Sequence, residues 1–326
     1  MKKKTTRLRE LFFGTKTFVL PGVCDGYEAK IVEASGFKAC YMSGGRTSAA
    51  HGYPDAGLLT MNEMVANAHN IALTLDIPLL SDGDTGYGNA LNVRRAVREF
   101  IMAGVAGIHI EDQVTPKRCG FMPGKQVIDM EEAVGKLRAA VDIRDDIDPD
   151  FIVMARTDSL GAVDGGLDEA VKRAEAYRKA GTDVAFVEGI KTVEELRFIA
   201  ERVEKPLMII PAAIPIHERP NEAELEQLGV IAALKPPLIQ DFVTNLLWEF
   251  LHDVNERGLQ AEKDWEEWWK SFPRKYSAAP SFWTICGFPD IKKLEEKYLT
   301  AKEMDKYQKS TGMAWGKGIV NGSANQ

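Results

Sequence analysis

Histidine and cysteine are scarce in this chain, five and four among 326 residues. Cys24, Cys40, Cys119 and Cys286 lie far apart, with no C-x-x-C pair and no zinc-like spacing. That excludes a cysteine-ligated zinc module and a disulfide framework, and a reducing cytoplasm is the expected home. Positive charge is short as well: 41 Lys and Arg face 48 Asp and Glu, a net charge of −7. With no dense basic stripe, a nucleic-acid partner is not expected. Long apolar runs are missing. The opening MKKKTTRLRELFFGTKTFVLPGVC starts basic, but charges break its apolar part, so neither a signal peptide nor a membrane span is expected. Two glycine signatures are also lacking. No G-x-G-x-x-G follows the first predicted strand, and SGGRTS lacks the Walker lysine spacing, so no nucleotide-phosphate cradle is predicted.

What is there is a repeat of short apolar runs and helix-like segments. TFVLPG, ACYMSGG, IPLLSDGD, AGIHIED, FIVMARTD, DVAFVEG, PLMIIPA and GVIAALKP are each bounded by Gly, Pro or Asp, as buried parallel strands tend to be. Between them lie amphipathic stretches such as NVRRAVREFIMAG and GLDEAVKRAEAYRKAG, ending at Gly104 and Gly181. Thr60-x-x-Glu63 and Thr192-x-x-Glu195 read as capping boxes. This alternation predicts a (β/α)8 TIM barrel over residues 1–260, with a C-terminal helical extension and tail over 261–326. The main rival is a doubly wound sheet.

Polar residues fall at the predicted strand ends: Ser43 after the second, Asp82 and Asp84 after the third, Glu111 and Asp112 after the fourth, Arg156 and Asp158 after the fifth, Glu188 after the sixth. In a barrel these ends share one mouth. So many carboxylates at one rim need a compensating cation, and oxygen-only ligands favour Mg2+ or Mn2+ over zinc. His109, on a predicted strand, reads as a hydrogen-bonded core histidine bordering that mouth. Cys119 stands beside Lys117 and Arg118, which are expected to lower its pKa, in a loop that should expose it. Pro116, Gly120, Pro123 and Gly124 bracket it with hinge-like residues, as a closing lid requires. The aromatic run DWEEWWKSF from Asp264 to Phe272 reads as packing or subunit interface.

Taken together, YMSGG, SDGDTGYGN, HIEDQVTPKRCG, Gly124-Lys125, ARTD and VEG resemble the isocitrate lyase / phosphoenolpyruvate mutase superfamily over roughly residues 7 to 260. Within it the chain most resembles the 2-methylisocitrate lyase, 2,3-dimethylmalate lyase and carboxyphosphonoenolpyruvate mutase branches. The resemblance implies a (β/α)8 barrel whose last helix is swapped with a neighbour in a dimer or tetramer. It also implies Mg2+ and a keto-acid or its enolate, with a C–C or P–C bond made or broken. Asp82 would hold Mg2+ directly, and Asp84, Glu111 and Asp55 through water. Ser43 and the amides of Gly44 and Gly45 would hold a carboxylate, Arg156 would bind its oxygens, and Tyr41 would face the reacting hydroxyl. Cys119 would protonate the carbanion-like carbon. Lys117, Arg118, Gly120 and Glu188 complete the implied substrate-binding set.

Three positions depart from the lyases of that superfamily: Phe121 stands where histidine follows KRCG, Pro211-Ala212 where a polar residue follows strand seven, and Lys235-Pro236 where Tyr-Pro follows strand eight. These departures change the surface that meets the distal part of the substrate, and the expected substrate is methylisocitrate- or dimethylmalate-like, cleaved to an α-keto acid and a second acid. The expected activity is a Mg2+-dependent carbon–carbon lyase acting on a small 2-hydroxy-dicarboxylate. An oxaloacetate decarboxylase or hydrolase, a phosphonomutase and a non-catalytic paralogue stand as rivals. LIQDFVTNLLWEFL carries more apolar surface than one barrel face needs, which predicts a homo-oligomer.

Overall fold

The computed structural model describes residues 2–273, 276 and 281–309. The glycine-rich tail GMAWGKGIVNGSANQ, expected to be loose, lies outside them. Eight parallel strands close in sequence order: β1 (Phe18–Val23), β2 (Cys40–Met42), β3 (Leu79–Asp82), β4 (Gly107–Glu111), β5 (Ile152–Thr157), β6 (Val184–Val187), β7 (Leu207–Ile209) and β8 (Val230–Lys235). Closure comes from β8 pairing with β1, Phe18 to Pro21 against Ala232 to Lys235. A doubly wound sheet has no such pairing, so that rival is excluded.

Side chains of a strand alternate between its two faces, and the barrel sorts them accordingly. Met42, Leu79, Ile108, Ile110, Val153 and Ala155 pack outward against the helices in one core cluster. Leu20, Tyr41, Leu80, Met154, Phe186 and Met208 fill the interior in another. Two residues beyond the inward Tyr41, Leu80, Met154 and Phe186 come Ser43, Asp82, Arg156 and Glu188. The period of two therefore aims these side chains into the mouth, and Glu111 follows the inward His109 in the same way. The opposite end is closed by the helix Lys4–Phe12, whose Leu8 and Phe12 are fully buried in the interior cluster. Each such side chain contributes about 1.5–3 kcal/mol by burial.

The helix punctuation follows the sequence. Thr60 with Glu63 and Thr192 with Glu195 form complete capping boxes. Gly104 and Gly181 take left-handed φ of 86° and 100° just past the helices Ala90–Met102 and Leu167–Lys179, a conformation that costs glycine nothing.

Two compact units divide the chain, residues 1–240 and 241–326. The helix Pro236–Arg257 starts directly from β8. In the second unit it meets the helix Leu259–Ser271 through Phe250 edge-on to Trp265, centroids 5.7 Å apart, and the Trp265 indole N–H donating to Asp253 Oδ2 at 2.9 Å. The aromatic run thus serves packing at Trp265, while Trp268 is exposed. No helix among the described residues is long and apolar enough to cross a membrane.

Candidate active site

Asp82, at the end of β3, is the hub of the mouth. Its Oδ2 accepts from the Gly44 amide and the Tyr41 hydroxyl, both at 3.1 Å, and its Oδ1 accepts from the Asp84 amide at 2.9 Å. His109 Nε2 lies 3.4 Å from Oδ1 and 2.6 Å from the Tyr41 oxygen. Glycine is required at position 44, because a Cβ there would meet Asp82 Oδ2 at 2.5 Å. The Gly44 amide is thus engaged by Asp82, while Ser43 and Gly45 line the cavity. Burial raises the Asp82 pKa, but His109, Lys117 and Arg156 outweigh it and hold the carboxyl well below its usual range. His109 is driven the other way: burial pushes it down to about 4, so it is neutral. It is a core histidine with one ring nitrogen at the hub.

Lys117 and Arg156 hold most of the other carboxylates between them. Lys117 reaches Asp84 Oδ1 at 3.0 Å and binds Asp55. Arg156 binds Asp158 through Nε at 2.9 Å and Nη2 at 3.0 Å, lies 3.3 Å from Glu111 Oε2 and 3.7 Å from Glu188 Oε2, and stacks over Phe186. Asp112 turns away. Its oxygens accept from Thr157, the Asp158 amide, Tyr177 and Arg173, which makes it a brace between β4, β5 and the outer helix. Alternation along β4 separates it from Glu111.

Positive charge at the mouth is still insufficient. Among the described residues, both Glu111 carboxylate oxygens and Glu188 Oε2 are buried without a hydrogen-bond partner. Burial raises the pKa of Glu111 and Glu188, and moves Asp84 up to about 6 against the pull of Lys117. Buried carboxylates left this way are costly unless a cation joins them. The residues present therefore fit a divalent, oxygen-preferring ion held from Asp82, with Asp84, Glu111 and Asp55 around it. Away from the mouth, Cys24, Asp25 and Glu28 bring their ligand atoms together, but Arg46 neutralises Glu28, and burial with Glu28 beside it pushes the Cys24 thiol up to about 12.

The loop from Gln113 to Lys125 lies across the mouth. Gln113 holds the Arg118 backbone at both its N–H and C=O, at 3.0 and 2.8 Å. The Cys119 amide donates to the Asp55 carbonyl at 3.0 Å. Gly120 rests on the site, for a Cβ there would come 2.4 Å from Arg156 Nη2 and 2.7 Å from Glu188 Cγ. Below the loop is a cavity of about 150 Å3, lined on one side by Cys119 and Phe121 and on the other by Tyr41, Ser43, Asp82, Arg156 and Glu188. That is well below the size of a drug-sized pocket and suits a small acid.

The sequence-based expectation for Cys119 is corrected here. Lys117 turns to Asp55 and Asp84, and the Arg118 side chain is exposed. Burial, with Asp55 adding to it, raises the Cys119 pKa despite a bond from the Phe121 amide and the charge of Lys117. The thiol is held protonated. The distal wall also differs in its residues. Ile210 and Gln240 line the cavity beside Phe121, whereas the Ala212 carbonyl accepts from Arg219, and Arg219 lies near Lys235. Sequence reasoning missed Ile210 and Gln240, each one or more residues from the positions weighed, along with Arg46, which pins the cavity floor through the Gly22 carbonyl at 2.6 Å.

A model of the phosphoenolpyruvate phosphomutase family matches residues 8–235. The chain belongs to this family. It is 45% identical over 233 residues to a 2,3-dimethylmalate lyase of Eubacterium barkeri, covering 71% of this chain and 78% of that one. It is 39% identical over 231 residues to a 2-methylisocitrate lyase of Shewanella oneidensis, with the same coverage of 71% and 78%. A crystal structure of a phosphonopyruvate hydrolase in complex with oxalate and Mg2+ superposes with a TM-score of 0.78 at 28% identity, covering 92% of this chain and all of that one. The expected superfamily and TIM-barrel fold are thereby shown, and the chain is an enzyme of a family that includes lyases and phosphonate-cleaving members.

Proposed function

We propose that the chain is a Mg2+-dependent carbon–carbon lyase. Its substrate is a small 2-hydroxy-dicarboxylate with uncharged branches, of the dimethylmalate type, which it cleaves to an α-keto acid and a second acid. The observation that carries this reading is the half-buried thiol of Cys119 set across one small cavity from Asp82, Tyr41 and Arg156. When bound, Mg2+ (or Mn2+) polarises the oxygens of the keto-acid half and lowers the cost of charge developing there.

The protein's own residues supply the rest. Ser43, Gly45 and Arg156 hold the substrate carboxylate. Glu188, whose Oε2 accepts no hydrogen bond, lines the cavity and is placed to take the 2-hydroxyl proton. Tyr41, whose pKa burial and Asp82 raise well above the ordinary value, stays protonated, and by turning its hydroxyl from Asp82 it can donate to the oxygen that becomes the keto group. The C2–C3 bond then breaks, and Cys119 hands its proton to the departing carbon. The lid excludes water from that carbon.

Phe121 and Ile210 make the distal wall apolar, with Gln240 the polar residue at its edge. A panel of 2-hydroxy-diacids scored by keto-acid release tests the assignment. Branched, uncharged substituents should give kcat/KM above that of methylisocitrate. Phe121→Ala should lower kcat/KM on the preferred branched acid about 10–100-fold, the scale of one lost apolar contact surface. Faster keto-acid turnover of oxaloacetate than of any 2-hydroxy-diacid would instead favour a decarboxylase or hydrolase.

We also place the enzyme in the cytoplasm, with its four cysteines free, and in an oligomer. Phe242, Val243, Leu246, Leu247 and Leu251 recur at helical spacing on Pro236–Arg257 and are all exposed. A swapped last helix in a dimer or tetramer would cover them. Light scattering at micromolar concentration should give two or four chain masses, and a clean monomer would rule this out.

A further inference from the structure

Lys125 is a buried cation that the reaction steps above do not use. It is 3% exposed, and its ammonium donates to the Gly120 carbonyl at 2.7 Å and to Asp158 Oδ1 at 3.0 Å. Its own carbonyl accepts from the Val163 amide at 2.9 Å, which fixes this end of the lid to the loop after β5. Asp158, fully buried, is the same carboxylate that grips Arg156 through two bonds. The Gly120 backbone meanwhile sits against Arg156 so closely that any side chain there would collide with Nη2. Lid tip, Lys125, Asp158 and Arg156 therefore form one continuous chain of contacts. Lys125 touches none of the carboxylates proposed to surround the metal.

We propose that Lys125 is a positioning residue that makes lid closure and the setting of Arg156 a single event. Its ammonium latches the lid by the Gly120 carbonyl. It also takes a share of the charge on Asp158, so that Asp158 holds Arg156 in place without drawing its whole guanidinium away from the cavity. With the lid lifted, the Gly120 carbonyl leaves, Lys125 rests wholly on Asp158, and Arg156 loses both its backbone cover and its fixed orientation. A flexible segment is in this way tied to a rigid strand end through two charge-assisted hydrogen bonds. This inference rests on the reading of Arg156 as the group that holds the substrate's oxygens.

The lid carries its own reporters, because trypsin cuts after Lys117 and Arg118. Oxalate with Mg2+ should protect those bonds in the wild-type enzyme. Lys125→Met should bind oxalate within about threefold of wild type by calorimetry, yet lose the protection. Its kcat should fall about 10²-fold with little change in KM, the scale of a misplaced catalytic geometry. Lys125→Arg, which keeps the charge, should regain protection and most of the rate. A merely structural lysine would lower Tm but leave the kcat of the folded fraction and the oxalate protection intact, and that outcome overturns the proposal. If Lys125→Met does not fold, Lys125→Gln, which lacks the charge that bridges the Gly120 carbonyl and Asp158, should lose protection and rate in the same way. Arg156→Lys separates the two readings. If it leaves oxalate affinity unchanged, the assignment of Arg156 is wrong. If it weakens oxalate while Lys125→Met stays protected, the latch alone is wrong.

Discussion

Cys119→Ser should lower kcat for carbon–carbon cleavage about 10²–10⁴-fold with a modest change in KM, the range of a lost general acid. Burial holds the Cys119 thiol protonated and Asp55 adds to that, so at neutral pH the group has a proton to give. A serine hydroxyl of nearly the same size fits the same place in the lid but is a far weaker acid, so the departing carbon must find its proton elsewhere. The same variant should keep much of its rate with a decarboxylation substrate, because an enolate left by CO2 loss can be protonated by water. The ratio of the two rates in wild type and variant is the measurement. Near-wild-type cleavage by the serine enzyme would leave the lid cysteine without a chemical role.

Asp82→Asn should abolish turnover, to below about 10⁻³ of wild type, if several kcal/mol of charge stabilisation go with the metal. The Asp82 pKa is held well down, with His109, Lys117 and Arg156 prevailing over burial. An asparagine keeps the volume but offers one oxygen to donors that now include Tyr41, the Gly44 amide and the Asp84 amide. Some loss of stability, about 1–3 kcal/mol, follows from that mismatch. The decisive readout is the thermal shift. Mg2+ at about a hundred times its Kd should stabilise the wild type by about 2.7 kcal/mol, a rise in Tm of several degrees, and the variant should show none. Full activity in EDTA-treated wild type would remove the metal from the reading.

The mouth was legible where chemistry follows from position along a strand. Ser43, Asp82, Glu111, Arg156 and Glu188 each stand at or just past a strand end, and a period of two turns all of them inward once the barrel closes. Glu111 and Asp112 show the limit of that legibility. They are neighbours of like charge, and which faces the mouth depends on how β4 sits between β3 and β5. The structure gives Glu111 to the cavity and spends Asp112 on Thr157, Tyr177 and Arg173. Cys119 marks a second limit. Proximity in sequence to Lys117 and Arg118 suggested a lowered pKa, but a lysine side chain is long enough to choose another partner, and Lys117 chose Asp55 and Asp84.

By itself the amino-acid sequence determined the repeat of eight strands, the helix starts at Thr60 and Thr192, and the gathering of polar residues at the strand ends. Those properties depend on local periodicity and capping, which act over a few residues. Only the tertiary structure decided the pairing of β8 with β1, the plug formed by Leu8 and Phe12, and the contact of Gly120 with Arg156. It alone placed Ile210, Gln240 and Phe121 on one wall, and joined Lys125 to Asp158 across 33 residues of chain. Such contacts depend on which long-range closures bury the most surface and leave the fewest charges unpaired, and no short stretch of sequence carries that information.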